Sequence, residues 1–273
     1  MVRIPRSIIL STRNLRYGLD AITYRTFGDR QALEALRDRF ADRPMLVVGN
    51  GPSLNDTPLD RFKDVPAIGM NKIDLLFNRV AWRPTFIICV NNLVVQQHAE
   101  SFAKSDIPVY LGWKSRIFML RKTKNVHYFL NKASHDFEHD ITRGVGTAAT
   151  VTYAALQFAY YVGANPIILF GVDHSFSASG NPNDYEKRKS VDVNHFDPNY
   201  FKAGSYWGIP NLELSELGYQ NSKAQFEADG RKIYDATVGG KLRIFERITI
   251  EQAIQFSVKK NLDAIRTDRT FPR

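Results

Sequence analysis

With 273 residues, 44% of them hydrophobic, the chain is long enough to bury a sizeable core and too apolar for a disordered polymer. Its single cysteine, Cys89, lies inside an apolar run, which excludes a disulfide framework and a cysteine zinc site and fits a reducing compartment. The net charge of +9 favours anionic partners, no apolar run approaches the roughly 18 residues of a membrane span, and a signal-peptide core is missing, so a cytoplasmic protein is expected.

Residues 1–28 read as an irregular basic arm, with Arg3, Arg6, Arg13, Arg16 and Arg25 among apolar residues. Gln31 to Phe40 has helical spacing, stopped by Asp42-Arg43-Pro44. Strands are then expected at Met45–Gly49, Ala67–Met70, Phe86–Val90, Val109–Leu111 and Val126–Phe129, with helical segments at Leu54–Phe62, Ile73–Phe77 and Leu93–Ala103 between them. A long amphipathic helix over Thr147–Val162 stops at Gly163, and Pro166 opens the apolar strand Ile167–Phe170. From Ser175 to Asn211 no period is visible, but the aromatics Tyr185, Phe196, Tyr200, Phe201, Tyr206 and Trp207 argue for a folded lid rather than disorder. A helix over Leu212–Ala228, edge strands at Lys232–Tyr234 and Leu242–Phe245, and a helix over Ile250–Phe256 complete the pattern. The alternation of strands and helices predicts an α/β fold with a mostly parallel sheet and helices on both faces. Two further basic clusters, Lys114 to Lys124 and Lys259 to Arg273, read as a solvated face, a membrane-surface patch or an anionic-substrate site; no nucleic-acid module is recognisable.

The chemistry gathers at strand ends. The first strand runs into Gly49-Asn50-Gly51-Pro52-Ser53, where glycines let a ligand approach the backbone and a helix start offers free N–H groups. Asn71 ends the second strand and Asn91-Asn92 the third, and parallel strands deliver such residues to one edge. An amide both donates and accepts without charge, which suits a base, a ribose or a phosphate. Asp173 follows the apolar strand in Gly171-Val172-Asp173-His174, where a carboxylate can accept from ribose hydroxyls.

These residues, with the block from Gly163 to Asp173, resemble the bacterial sialyltransferases of glycosyltransferase family 42. They also resemble the wider 6-hydroxymethylpterin diphosphokinase-like family, which includes flagellin glycosyltransferases; the likeness spans roughly residues 44 to 200. It implies a single Rossmann-like domain over 44–257 that binds a nucleotide sugar, with the lid at 174–211, a basic arm and helix at 1–43 and a basic tail at 258–273. It further implies that Gly49, Asn50, Gly51, Ser53, Asn71, Asn91, Asn92, Arg143, Thr147 and Asp173 hold a CMP-sugar donor, and that Tyr185 and Tyr200 stabilise the departing phosphate. His195 or His174 would be the general base; the pattern leaves both open. The expected activity is metal-independent inverting glycosyl transfer of a CMP-linked acidic sugar, sialic acid-like or Kdo-like, to a bacterial surface glycan or glycolipid. No cofactor, no metal and no nucleic acid are expected, and an anionic inner-membrane surface and homo-oligomerisation are candidate associations. Two alternatives stand beside it: a Mg-ATP-dependent diphosphokinase of a pterin-like alcohol, and a non-catalytic nucleotide-sugar-binding protein.

Overall fold

The computed structural model describes residues 18–119, 123–132, 134–177, 180–188 and 190–259. Five short apolar strands come first: β1 (Met45–Val48), β2 (Ala67–Met70), β3 (Phe86–Cys89), β4 (Val109–Gly112) and β5 (Val126–Phe129). Two small ladders flank the sheet: β6 (Asn131–Lys132) pairs with β7 (Val145–Gly146), and β9 (Tyr185–Lys187) forms a hairpin with β10 (Tyr206–Gly208) in the lid. The central strand β8 (Ile167–Phe170) and the edge strands β11 (Ile233–Asp235) and β12 (Glu246–Arg247) complete an eight-stranded sheet of order β12-β11-β8-β1-β2-β3-β4-β5. Every neighbouring pair in it is parallel.

The chain walks from β1 to β5 in one direction and then returns to set β8 against the other side of β1. That reversal is the switch point at which open α/β sheets bind ligands. Because β1 and β8 are central, side chains on both faces are buried. Leu46, Val48, Ile168 and Phe170 enter one core, and Met45, Val47, Ile167 and Leu169 the other. Burying each such side chain contributes about 1.5–3 kcal/mol. Helix α3 (Asn92–Ala103), α6 (Ile250–Ile254) and the lid aromatics Phe196, Tyr200, Phe201 and Trp207 cover the first face. Helices α2 (Arg30–Glu34), α4 (Val151–Tyr161) and α5 (Leu212–Ala228) cover the second. Among the described residues no helix is long and apolar enough to cross a membrane.

Several boundaries differ from the sequence pattern. In the expected irregular arm, residues 18–27 form a helix, α1, anchored by the Trp113 indole N–H donating to Thr23 Oγ1 at 3.0 Å and by Tyr24 packed edge-on against the Trp113 ring. The rest of the arm, the basic residues Arg121 and Lys122, and the tail from residue 260 lie outside the described residues. The helix expected over Gln31–Phe40 ends at Glu34, because the N–H groups of Asp38, Phe40 and Asp42 bond instead to the carbonyls of Tyr161, Val162 and Gly163 at 2.8–3.1 Å. The segment Leu54–Phe62 splits into 3-10 turns over Pro52–Asp56 and Leu59–Phe62, since Pro58 cannot donate within a helix. The edge strand placed at Leu242–Phe245 is displaced to Glu246–Arg247: Leu242 and Phe245 are drawn down into the core, leaving the next two residues to pair with β11. The helix expected from Thr147 begins at Val151, with Thr150 as its cap.

Candidate functional site

A cavity of about 550 Å³ follows the carboxyl edge of the sheet from the β8 end to the β5 end, roofed by the lid. At its centre the β1 and β8 turns are pressed together. Gly49 and Gly51 donate their N–H groups to the carbonyls of Phe170 and Gly171 at 2.7 and 2.9 Å, extending the ladder beyond the strands. A Cβ on Gly51 would sit 1.7 Å from Asp173 Oδ2, and one on Gly49 would sit 2.2 Å from the Gly171 carbonyl oxygen, so both positions require glycine. Asp173 is fixed by two donors from Ser53, the backbone N–H at 3.1 Å and Oγ at 2.7 Å. Burial raises the Asp173 pKa above the ordinary carboxylate value, and the Ser53 hydrogen bonds oppose that rise. Ser53 is thus a support for Asp173 and does not line the cavity.

The expected asparagines fall into two groups. Asn50 is only 8% exposed, and its Oδ1 has no hydrogen-bond partner; the buried Oδ1 of Asn71 is likewise unpartnered. The Asn71 side chain also holds the Tyr200 hydroxyl. An unpaired buried acceptor costs about 1–3 kcal/mol, which a ligand hydroxyl or amine would offset. Asn91 instead spends its oxygen as the N-cap of α3, accepting from the Leu93 N–H at 2.9 Å, and Asn92 Oδ1 accepts from Ser115 Oγ at 2.7 Å. Both still line the cavity.

Three helices, α3, α4 and α5, open their N-termini onto this space, capped by Asn91, Thr150 and Asn211. The positive ends of their dipoles favour an anion between them. Thr147 lines the cavity beside α4, where Ala148 and Ala149 turn through left-handed φ values of 31° and 58°. Asn71, Ala149, His174 and Asn183 all combine positive φ with a place in the lining, and backbone strain of this kind concentrates at functional sites. Arg143 is exposed and stands outside the lining: it ends a 3-10 turn over Ile141–Arg143, and Gly144, at φ 115°, bends the chain away there.

Both candidate bases line the cavity, each backed by a carboxylate. His195 Nδ1 lies 2.9 Å from Asp192 Oδ2, and its ring stacks on Tyr200 at 4.0 Å with an interplanar angle of 3°. With Nδ1–H donating to Asp192, Nε2 is left as the acceptor. Burial pushes the Asp192 pKa up, but the His195 hydrogen bond and charge, together with the Asn194 N–H, outweigh it and hold the carboxyl below its ordinary value. His174 Nε2 lies 2.8 Å from Glu216 Oε1, a carboxylate half exposed to water, whereas the Asp192 side chain is buried. Tyr200 is a buried platform under His195, whereas Tyr185 is 70% exposed at the cavity mouth. Lys72 clamps that platform: its backbone N–H donates to the Tyr200 hydroxyl at 3.4 Å and its Nζ to the Tyr200 carbonyl at 2.8 Å. Burial lowers the Lys72 pKa from 10.5 to about 8.

Sequence reasoning missed Asp192, Glu216 and Lys72, which act through contacts made only in the fold, and Asn131 and Lys132 in the lining; Lys114, also in the lining, reads in the sequence only as part of a basic cluster. Asn131 carried a usable signal, since it follows a strand as Asn50, Asn71 and Asn91 do.

No curated protein matches this chain. In solved structures, the MAf glycosyltransferase from Magnetospirillum magneticum AMB-1 shares the fold, with a TM-score of 0.51 at 16% identity; the match covers 85% of this chain and 38% of that one. The sequence model described as 6-hydroxymethylpterin diphosphokinase MptE-like matches residues 24–179, more than half of the chain. The protein therefore belongs to the 6-hydroxymethylpterin diphosphokinase MptE-like family.

Proposed function

We propose that the protein is a metal-independent inverting glycosyltransferase whose donor is a CMP-linked acidic sugar and whose acceptor is a surface glycan or glycolipid. The observation that carries this reading is the pair of unpartnered amide oxygens, Asn50 and Asn71, set beside Asp173 in a cavity onto which three helix N-termini open. The amides and Asp173 accept from the amine and hydroxyls of a cytidine nucleoside, and the helix N-termini meet the charge of one phosphate. His195 Nε2 takes the proton of the acceptor hydroxyl as its oxygen attacks the anomeric carbon from the face opposite the phosphate. The carbon–oxygen bond to phosphate breaks, CMP leaves with the electron pair, and the anomeric configuration inverts. Asp192 holds the imidazole in the required tautomer and stabilises the imidazolium that forms. The likeness to a solved glycosyltransferase supports this reading at the level of fold. The net charge of +9 favours an anionic membrane surface as the place of work.

The family description favours a second reading, Mg-ATP-dependent diphosphoryl transfer. Magnesium in such sites is held by carboxylates near the phosphates, and Asp173 is the one carboxylate among the described lining residues. The test is turnover of CMP-linked acidic sugars in EDTA. The proposal predicts sugar release or transfer by the wild-type protein, loss on His195→Ala and retention on His174→Ala. Turnover that requires Mg²⁺ and ATP, or that survives in both histidine variants, overturns it.

A further inference from the structure

The cavity is longer than the nucleotide site it contains. Its lining runs from Asp173 beyond β8, past Asn50 and Asn71, to Lys114 beyond β4 and to Asn131 and Lys132 beyond β5. That path crosses five interstrand spacings of about 4.8 Å, roughly 24 Å in all. Acid stands at one end and two ammonium groups at the other.

The far end is built rather than incidental. Asn131 Nδ2 donates to the Val90 carbonyl at 3.2 Å, which fixes the amide orientation and leaves Oδ1, buried and without a partner, as the acceptor. That oxygen lies against Gly112, where an added Cβ would approach it to 2.2 Å, so the β4 end is hollowed to admit the amide. Beside it Lys132 is held by Glu138 Oε1 at 2.5 Å, which takes one of the three donors of its ammonium. Lys114 Nζ lies 3.8 Å from Asp20 Oδ2. An unpaired acceptor and two lysines in one stretch of the lining match a ligand that presents hydroxyl donors and a negative charge together.

We propose that Asn131, Lys132 and Lys114 form a second subsite that binds the acidic, hydroxylated part of a sugar acid, separate from the nucleotide-binding end. This inference rests on the glycosyltransferase reading for the source of that acid, either the sugar of the donor or the sugar of the acceptor. The two sources share their chemistry and are told apart by how they are delivered.

The experiment is calorimetric titration of the wild type, Lys132→Met, Lys132→Arg and Asn131→Ala. One arm uses CMP against CMP-N-acetylneuraminate and CMP-Kdo; the other uses free N-acetylneuraminate and free Kdo, with CMP saturating and with CMP absent. A donor subsite predicts that at least one CMP-linked acid binds about tenfold or more tightly than CMP. An acceptor subsite predicts instead that a free acid binds alongside CMP. In either case Lys132→Met and Asn131→Ala remove the gain, Lys132→Arg retains most of it, and CMP affinity stays within about twofold. No gain in any arm, or an equal loss of CMP affinity in Lys132→Met, overturns the subsite. Failure of CMP itself to bind the wild type overturns the nucleotide reading instead, and the free acids without CMP then decide the subsite alone.

Discussion

Gly51→Ala tests how tightly the two central turns are coupled. Gly51 has an ordinary φ of −68°, so alanine is conformationally acceptable there. At such positions Gly→Ala usually stabilises, by about 0.4–1 kcal/mol. Here the new Cβ would sit 1.7 Å from Asp173 Oδ2, 2.4 Å from its Cγ and 2.9 Å from the Gly171 carbonyl oxygen. The carboxylate must leave, and with it both Ser53 hydrogen bonds, at 3.1 and 2.7 Å. Hydrogen bonds to charged groups contribute about 1.5–3 kcal/mol each, and part of that is recovered by hydrating the displaced carboxylate. A net loss of about 3 kcal/mol is expected in urea denaturation, together with loss of CMP binding. In an Asp173→Ala background the main obstacle is gone and only the contact with the Gly171 carbonyl remains, so the same substitution should cost about 1 kcal/mol, a coupling of roughly 2 kcal/mol. A Gly51→Ala protein as stable as wild type, or equal costs in the two backgrounds, would refute the close packing of β1 and β8 on which the site is built.

Asp192→Asn should leave CMP affinity unchanged and lower turnover by about 10²–10⁴-fold, because an amide cannot hold the tautomer or stabilise the imidazolium; single-turnover kinetics beside a binding isotherm read both quantities. Lys72 gives a pH test. Its folded pKa of about 8 lies below the ordinary 10.5, so below pH 8 burial of the ammonium costs stability, about 3 kcal/mol, and this cost is relieved as pH rises from 8 to 10.5. Lys72→Met should therefore be more stable than wild type at pH 7, by about 1 kcal/mol once the lost hydrogen bonds to the Tyr200 carbonyl and to Gln97 Oε1 are deducted. That advantage should vanish near pH 10; a constant difference across this range in chemical denaturation would contradict it.

The architecture was legible wherever local pattern and burial agree. The strands β1, β2, β3 and β8 are continuous apolar runs closed by turn residues, and they form where such runs are expected, as does β5 despite the half-buried His127 within it. Boundaries failed where tertiary hydrogen bonds compete with local ones, as at Asp38 to Asp42, and where the backbone is strained, as at Ala148-Ala149, whose composition favours helix. At the site, the strand-end rule brought Asn50, Asn71 and Asp173 into one cavity. It could not distinguish an open amide from a committed one: the Asn91 side chain caps α3, while the Asn50 Oδ1 is unpartnered. Arg143 looked suited to a phosphate because it precedes the long helix, yet the seven residues from Gly144 to Thr150 separate it from the actual helix start. The carboxylate behind His195 depends on lid folding, which carries no periodic signal, and the one behind His174, Glu216, sits on α5 and meets the histidine only through tertiary packing.

The central claim is that the cavity grips a cytidine nucleotide through its amides and Asp173 without a metal. Calorimetric titration of CMP in the presence of EDTA tests it directly. Binding should persist in EDTA, weaken about tenfold or more in Asn50→Ala and in Asp173→Ala, and remain unchanged in His195→Ala. Affinity that appears only with Mg²⁺, or that is indifferent to Asn50 and Asp173, would contradict it.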